Sequence, residues 1–369
     1  MKKLTAVAAL AAAGIAALVA VQIAGAFGGR GHQWHHGRDV RHIFVIMLEN
    51  HSEKSVIGDP NTPYITSLAQ DNASAADYYG VTHPSEPNYI ALLSGSNWWL
   101  NQDDPSVRLD HVNLVDELES AHKSWGAYLE AMPADDKTVD YWPSAANPLY
   151  ASKHNPFVLF NDIRNDPARM THVKPYTSLA ADLASEWTTP NFVYIAPDQC
   201  NDMHGGVYTA VPGHPETPCP YGSTNDDPED ASLKQKADAF VQKTVQTITA
   251  SPSWHLGQDA IFVVSDEGDY TGNPTTGGWD SPAGCCDSPV APAGDPDISA
   301  DWPGGVYGGG LVPAVVVVNR GGKTDGYVSD TPYNHYSLLA TIEDLWNLPL
   351  LAYSADTAQV KPMTEFFTR

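Results

Sequence analysis

The sequence predicts an α/β domain built on a doubly wound, mostly parallel sheet with loop insertions. Three short apolar runs, residues 42–48 (HIFVIML), 192–197 (FVYIAP) and 260–265 (AIFVVS), have the Val, Ile and Phe content of strands buried on both faces. They alternate with stretches of helical period, the pattern of one doubly wound domain. Each run also stops at an acidic or amide cluster: Glu49-Asn50, then Asp198 with Asn201, Asp202 and His204, then Asp266-Glu267. In open α/β sheets the ligand sits beyond the carboxyl ends of the strands, so neighbouring runs would gather oxygen donors at one edge. Such donors suit a hard metal ion and an oxyanion substrate.

Taken in order, residues 1–26 read as a signal peptide: Lys2 and Lys3, an apolar stretch over 4–23, and Ala24-Gly25-Ala26 as the cleavage site. An uncleaved membrane anchor is the alternative; no later segment is long and apolar enough to span a bilayer. Residues 27–40 form a Gly/His-rich linker with His32, His35 and His36, and the domain occupies 41–369. A helix is expected over 63–72 after the start signal Asn61-Thr62, with others over 86–93 and 114–121. A strand follows at 124–129, a loop-rich stretch at 133–150, and a helix at 178–187 that leads into the strand at Phe192. Residues 208–229 read as loop. Residues 231–249 read as an amphipathic helix with Leu233, Ala237, Phe240, Val241, Val245 and Ile248 on one face. A long Gly/Pro-rich insertion covers 268–309, a strand 312–318 and a closing helix 336–348. There is no internal repeat.

The chain has 369 residues, and 44 acidic against 20 basic residues set its formal charge at −24. Export without Lys2 and Lys3 makes the mature chain more negative still. That balance argues against nucleic acid and anionic membrane surfaces, and it obliges any anionic substrate to find a local cation. Extracellular solubility alone also accounts for it. The four cysteines, Cys200, Cys219, Cys285 and Cys286, suggest two disulfides in an exported protein. Cys200–Cys219 with a vicinal Cys285–Cys286 bridge and cross-pairing between the two sets are both open.

Residues 82–95 (THPSEPNYIALLSG) place Ser85 just before an amphipathic helix. A helix start offers free N–H groups and a positive dipole end to a phosphate, although a plain capping serine is the commoner meaning of this pattern. A serine hydroxyl needs a base or a metal to become a nucleophile. No Gly-x-Ser-x-Gly elbow surrounds Ser85, so an esterase triad is not indicated. Glu49, Asn50, Asp266 and Glu267 carry hard oxygens able to hold a divalent metal against the Ser85 oxygen.

Six segments in this order, LENHS at 48–52, THPSEPN at 82–88, KHNPF at 153–157, PDQCNDMH at 197–204, SDEG at 265–268 and YNHYS at 333–337, carry a resemblance. They resemble the bacterial phosphoesterase family of secreted acid phosphatases and phospholipases C, within the alkaline-phosphatase superfamily. The resemblance spans roughly residues 42–348. It implies an alkaline-phosphatase-like fold and one or two divalent metal ions. It makes Glu49, Asn50, Asp266 and Glu267 metal ligands, with Ser85 the ligand and nucleophile that is transiently phosphorylated. Asp202 and His204 match a second set facing the phosphate or a second metal, and His335, counted with that set, matches a histidine near the C-terminus of the superfamily fold. His154 matches a histidine that contacts the phosphoryl group or protonates the leaving group, a role His204 can share. Glu53-Lys54 after Ser52, and Asp266-Glu267-Gly268-Asp269 on the later strand, depart from the phospholipase branch and favour a phosphatase. Asp198 reads as a turn residue, Asp269 as loop and His51 as support for the ligand pair. His83, His111, His122, His172, His214 and His255 read as structural or surface, and Trp98, Trp99 and Trp142 as lining a cleft or the core.

The expectation is a secreted, metal-dependent phosphoric ester hydrolase acting on monoesters. Its substrate would be a small phosphate ester or a phospholipid headgroup, with the phosphate between the metal and the helix after Ser85. It has no nucleic-acid partner and no integral membrane association after signal cleavage. One alternative is a phospholipase C-type phosphodiesterase, with Trp279 and Trp302 supplying an apolar rim. The other is a catalytically silent protein of the same fold that captures phosphate or a glycan.

Overall fold

The computed structural model describes residues 40–104, 106–133, 147, 149–206, 219–220, 228–269, 283–288 and 308–367. The leader, the linker, most of the loops at 133–150 and 208–229 and most of the 268–309 insertion lie outside the described residues, as do Trp142, His214, Trp279 and Trp302. The first apolar run is β1 (Val40–Leu48), buried at every position except Arg41. Parallel neighbours pair with it on both sides, β6 (Phe192–Ala196) and β7 (Gln258–Ser265), with Ile46 opposite Ile195 and Leu48 opposite Ser265. Beyond β6 lie β4 (Trp125–Leu129) and β5 (Val173–Pro175); beyond β7 lie β8 (Ala314–Val318), β2 (Ala73–Ala75) and β9 (Tyr327–Ser329). Only β8 of these eight described strands runs against its neighbours. A parallel pair of two-residue strands, β3 (Tyr78–Tyr79) and β10 (Tyr333–Asn334), stands apart.

The period-two alternation of each central strand divides its side chains between two cores. Ile43, Val45 and Met47 join Phe192, Tyr194, Phe262 and Val264 on one face, while Phe44, Ile46 and Leu48 join Val193, Ile195, Ile261 and Val263 on the other. Full burial of each such side chain is worth roughly 1.5–3 kcal/mol, so both faces need a helical cover. The first face is covered by α2 (Ser85–Ser94), α3 (Leu114–Ser120) and α5 (His335–Trp346), the second by α1 (Pro63–Asp71) and α4 (Pro228–Thr249). The doubly wound, mostly parallel sheet expected from the sequence is therefore present. On α4 the six apolar positions picked out by their spacing are all buried.

Two elements differ from expectation. Residues 178–187 do not make one helix: a 3₁₀ turn at Tyr176–Ser178 runs into a single α turn, Leu179–Asp182. Beyond it the chain turns at Ser185, whose carbonyl accepts from Thr188 N–H and Thr189 N–H, both at 3.1 Å, and whose hydroxyl accepts from Trp187 N–H at 3.1 Å. The helix after residue 84 begins at Ser85 itself and is buried on all sides, not amphipathic. The cysteines pair as Cys200–Cys219 and Cys285–Cys286, so cross-pairing is ruled out.

Candidate active site

Because β6, β1 and β7 are adjacent and parallel, their acid-bearing ends stand side by side about 4.8 Å apart. Backbone bonds continue past the strands and stitch the tips together: Glu49 N–H donates to Asp202 O at 2.8 Å, and Asp266 N–H to Leu48 O at 3.1 Å. Asn50 then turns the chain in the left-handed region (φ 55°), which asparagine tolerates better than most residues. Its N–H donates to Asp266 Oδ1 at 3.0 Å, which also accepts Glu267 N–H at 2.7 Å. Gly80 lets the segment leading to Ser85 close on β7: a Cβ there would lie 2.7 Å from Asp266 O.

Ser85 Oγ sits at the centre of this edge. It lies 2.5 Å from Glu49 Oε1 and 2.8 Å from Glu267 Oε1, and it accepts from Lys153 Nζ at 3.0 Å. A hydroxyl has one proton to give, so it satisfies one carboxylate. The second carboxyl so close is tolerable only when it is protonated or when a cation bridges the two. Glu49, Asp266 and Glu267 each offer an oxygen within 4.8 Å of the others, and all three are buried. Asp266 Oδ2 and Glu49 Oε2 are buried and accept no hydrogen bond. Burial, then the Glu49 charge, holds the Asp266 and Glu267 carboxyls well above the usual carboxylate range. Burial would raise Glu49 too, but His204, Lys153 and His154 together pull it well below. Hard oxygen donors, mutual repulsion and orphaned buried oxygens together fit a divalent cation held by Glu49, Asn50, Asp266, Glu267 and the Ser85 oxygen.

The third tip meets the same centre through histidines. His154 Nε2 lies 3.1 Å from Glu49 Oε1, and its Nδ1 lies 3.3 Å from Asp202 Oδ2. Burial opposes its charge, but the bonds to Asp202 and Glu49 prevail and push it up to about 9, so it is an imidazolium at neutral pH. The ring stacks on Tyr89 at 5.0 Å. His204 Nδ1 bonds Gly205 O at 2.7 Å, and its Nε2 stands 3.8 Å from Glu49 Oε2. Burial lowers its pKa despite the nearby Glu49 charge. Asp202 Oδ1 accepts the His204 backbone N–H at 2.8 Å, so one carboxylate holds both the His154 ring and the main chain that carries His204. Asp198 is the turn residue of this tip, its Oδ1 accepting Cys200 N–H at 3.0 Å and Asn201 N–H at 3.1 Å.

The structure thus brings Glu49, Asn50, Ser85, His154, Asp202, His204, Asp266 and Glu267 together, and it leaves His335 aside. His335 is fully buried behind the site, Nε2 on Asp266 O at 2.7 Å and Nδ1 on Tyr78 OH at 3.0 Å. Both ring nitrogens are engaged and burial lowers its pKa to about 4, so it braces the β7 tip. The start of α2 also differs from expectation, because the Glu86 N–H already donates to Asp103 Oδ1 at 2.9 Å. Two residues of the site escaped the sequence reading. Lys153 precedes His154 in KHNPF. His83, read as structural or surface, lies two residues before Ser85 and binds Glu267 Oε2 through Nδ1. Their proximity to Ser85 and His154 in the same short motifs is a faint signal and assigns them no role. Asp269 is more than loop: its Oδ1 accepts Ser52 N–H at 3.1 Å and Ser55 Oγ–H at 3.2 Å. His51 supports the ligand pair from below, Nδ1 on Glu49 O at 3.2 Å and Nε2 on Asp230 at 2.7 Å.

A family model described as the Phosphoesterase family matches residues 59–214 and 219–349. A phosphate-repressible acid phosphatase of Penicillium chrysogenum is 25% identical over 310 residues, 83% of this chain and 59% of the relative. The chain therefore spans under two thirds of that relative's length. A phosphatidylinositol-3-phosphatase of Mycobacterium tuberculosis is 24% identical over 320 residues, covering 86% of this chain and 81% of the relative. Among solved structures, the phosphonate monoester hydrolase of Silicibacter pomeroyi superposes with a TM-score of 0.52 at 14% identity, over 89% of this chain and 76% of that one. That likeness concerns the fold alone.

Proposed function

Since the chain belongs to the phosphoesterase family, we propose that it is an exported, divalent-metal-dependent hydrolase of phosphate monoesters that works through a phosphoserine at Ser85. The observation that carries the reading is the Ser85 Oγ held within 3.0 Å of Glu49, Glu267 and Lys153 at the meeting of three strand ends. A bound divalent ion would neutralise charge on the phosphoryl oxygens and on the serine oxygen. Lys153, whose charge is kept by Asp103 and Glu49 against burial, stabilises the negative charge that develops on Oγ as its proton passes to Glu49 Oε1, 2.5 Å away. The Oγ lone pair forms the new bond to phosphorus while the bond to the leaving oxygen breaks. His154 Nε2 gives that oxygen a proton, and Asp202 at Nδ1 keeps the ring oriented. The now neutral His154 takes a proton from the water whose oxygen bonds to phosphorus, and as the bond from phosphorus to Oγ breaks, Ser85 regains its proton from Glu49. His204, held by Gly205 O and Asp202, faces the transferred group.

A cluster of one lysine and two histidines suits the dianionic phosphoryl group of a monoester. The relatives named acid phosphatase and phosphatidylinositol-3-phosphatase support the same choice. The substrate is then a small phosphate ester or a phosphorylated lipid headgroup, and the strongly acidic chain makes nucleic acid an unsuitable partner. No helix among the described residues is long and apolar enough to cross a membrane. Hydrolysis of p-nitrophenyl phosphate is the test. Ser85→Ala lowers turnover roughly a thousandfold or more with an unchanged circular dichroism spectrum. Full chelation abolishes activity and added divalent metal restores it. Undiminished hydrolysis by Ser85→Ala overturns the nucleophile, and full activity after chelation overturns the metal. Faster hydrolysis of phosphatidylcholine than of any monoester would favour the phospholipase C alternative.

A further inference from the structure

Asp103 lies outside every motif noted in the sequence, yet its carboxylate touches two parts of the site at once. Pro84, the residue before α2, gives the helix no side-chain cap, and Pro87 has no N–H. Asp103 Oδ1 accepts the Glu86 N–H at 2.9 Å, and Oδ2 accepts from Lys153 Nζ at 2.9 Å. Lys153 Nζ also donates to Ser85 Oγ at 3.0 Å and stands 3.4 Å from Glu49 Oε1. Three oxygens on three separate segments thus surround one buried ammonium. The Asp103 side chain is itself largely buried, at 14% exposure, where water cannot take over its role.

We propose that Asp103 is a positioning residue for the reaction: it fastens Lys153 to the first turn of the nucleophile's helix so that the ammonium points at Ser85 Oγ and is kept off Glu49. Asp103 and Glu49 compete for the same ammonium. An ammonium has three protons in a fixed tetrahedral arrangement, and anchoring one on Asp103 directs another to the hydroxyl. Without the Asp103 charge the closest anion is Glu49, a proposed metal ligand, and a lysine drawn there leaves Oγ and occupies the oxygen the cation needs. The chain already places Asp103 where an anion is favoured, at the start of α2, so the same helix end that bears the nucleophile also holds the device that aims its lysine. The catalytic part of this inference rests on the hydrolase reading; the positional part does not.

Asp103→Asn is the discriminating variant, since the amide oxygen still accepts the Glu86 N–H while the charge that holds Lys153 is gone. Expected are a kcat on p-nitrophenyl phosphate lowered about tenfold and a melting temperature within about 2 °C of wild type. Lys153→Met alone loses roughly a hundredfold or more. The double variant Asp103→Asn/Lys153→Met is no slower than Lys153→Met within about threefold, because Asp103 acts through the lysine. Additive losses in the double variant, or an Asp103→Asn rate within twofold of wild type, overturn the catalytic part. A crystal structure of Asp103→Asn reads the position whatever ester is turned over. Lys153 Nζ moved from Ser85 Oγ towards Glu49 supports the proposal, and an unmoved lysine overturns it. A wild-type enzyme inert towards phosphate esters would instead count against the hydrolase reading, and the crystal structure would still decide the position.

Discussion

Glu267 shows how much of this site depends on side chains that carry no obvious signal. One of its oxygens meets Ser85 Oγ at 2.8 Å and the other the His83 ring, 184 positions away in the chain. A ring N–H fixed on a ligand carboxylate holds the other oxygen in the direction of the ion, and loss of such a partner typically weakens metal binding 10–100-fold. His83→Leu is therefore expected to release a bound divalent ion at about that much lower chelator concentration, read by competition titration. His83→Asn, whose amide N–H takes the place of Nδ1–H, restores most of the affinity. The carboxylates were legible because an apolar run broken by acids is a local pattern. His83, Lys153 and Asp103 were not, because their importance arises from pairings across 184, 68 and 50 positions that only the folded chain makes.

Helix starts are handled in two ways, although all four begin within a residue of where the sequence puts them. Asn113 and Asn334 cap α3 and α5 from the adjoining position with reciprocal capping boxes. The caps of α1 and α2 come from elsewhere: Asp238 on α4 accepts Tyr64 N–H at 3.1 Å and Ile65 N–H at 2.8 Å, and Asp103 serves α2. No local pattern announces these. Asp238→Ala should cost about 0.5–2 kcal/mol in chemical denaturation, the usual toll of a lost cap, with the central sheet intact. Strands of two or three residues, such as β2, β3, β9 and β10, fall below the length at which period two can be recognised, so the sequence marked only the long central strands.

At the scale of the molecule, stability should follow the buried carboxyls away from the site. Glu343 on α5 is fully buried and held well above the ordinary range by burial and then by Glu117. Glu117 on α3 is pushed up to about 8 by burial and then by Asp116. Both bind a proton more tightly when folded than in the unfolded chain, where glutamate titrates near 4.3. Their contribution is therefore complete below that pH and is lost as the pH rises through the folded values. The melting temperature should fall between about pH 5 and pH 9. Glu343→Gln, which keeps an oxygen for the Leu351 N–H now bound at 2.9 Å, should flatten that decline; an unchanged slope would show that other groups set it.

The place of β1 within the sheet has a further consequence. It is the fourth of eight described strands, with β5 and β9 at the rims. Fraying starts at rims, where few bonds must break, and spends itself there before reaching strands bonded on both sides. The acidic groups that follow the ends of β6, β1 and β7 are therefore anchored on the strands that fraying reaches last. The lifetime of the site is the lifetime of the fold.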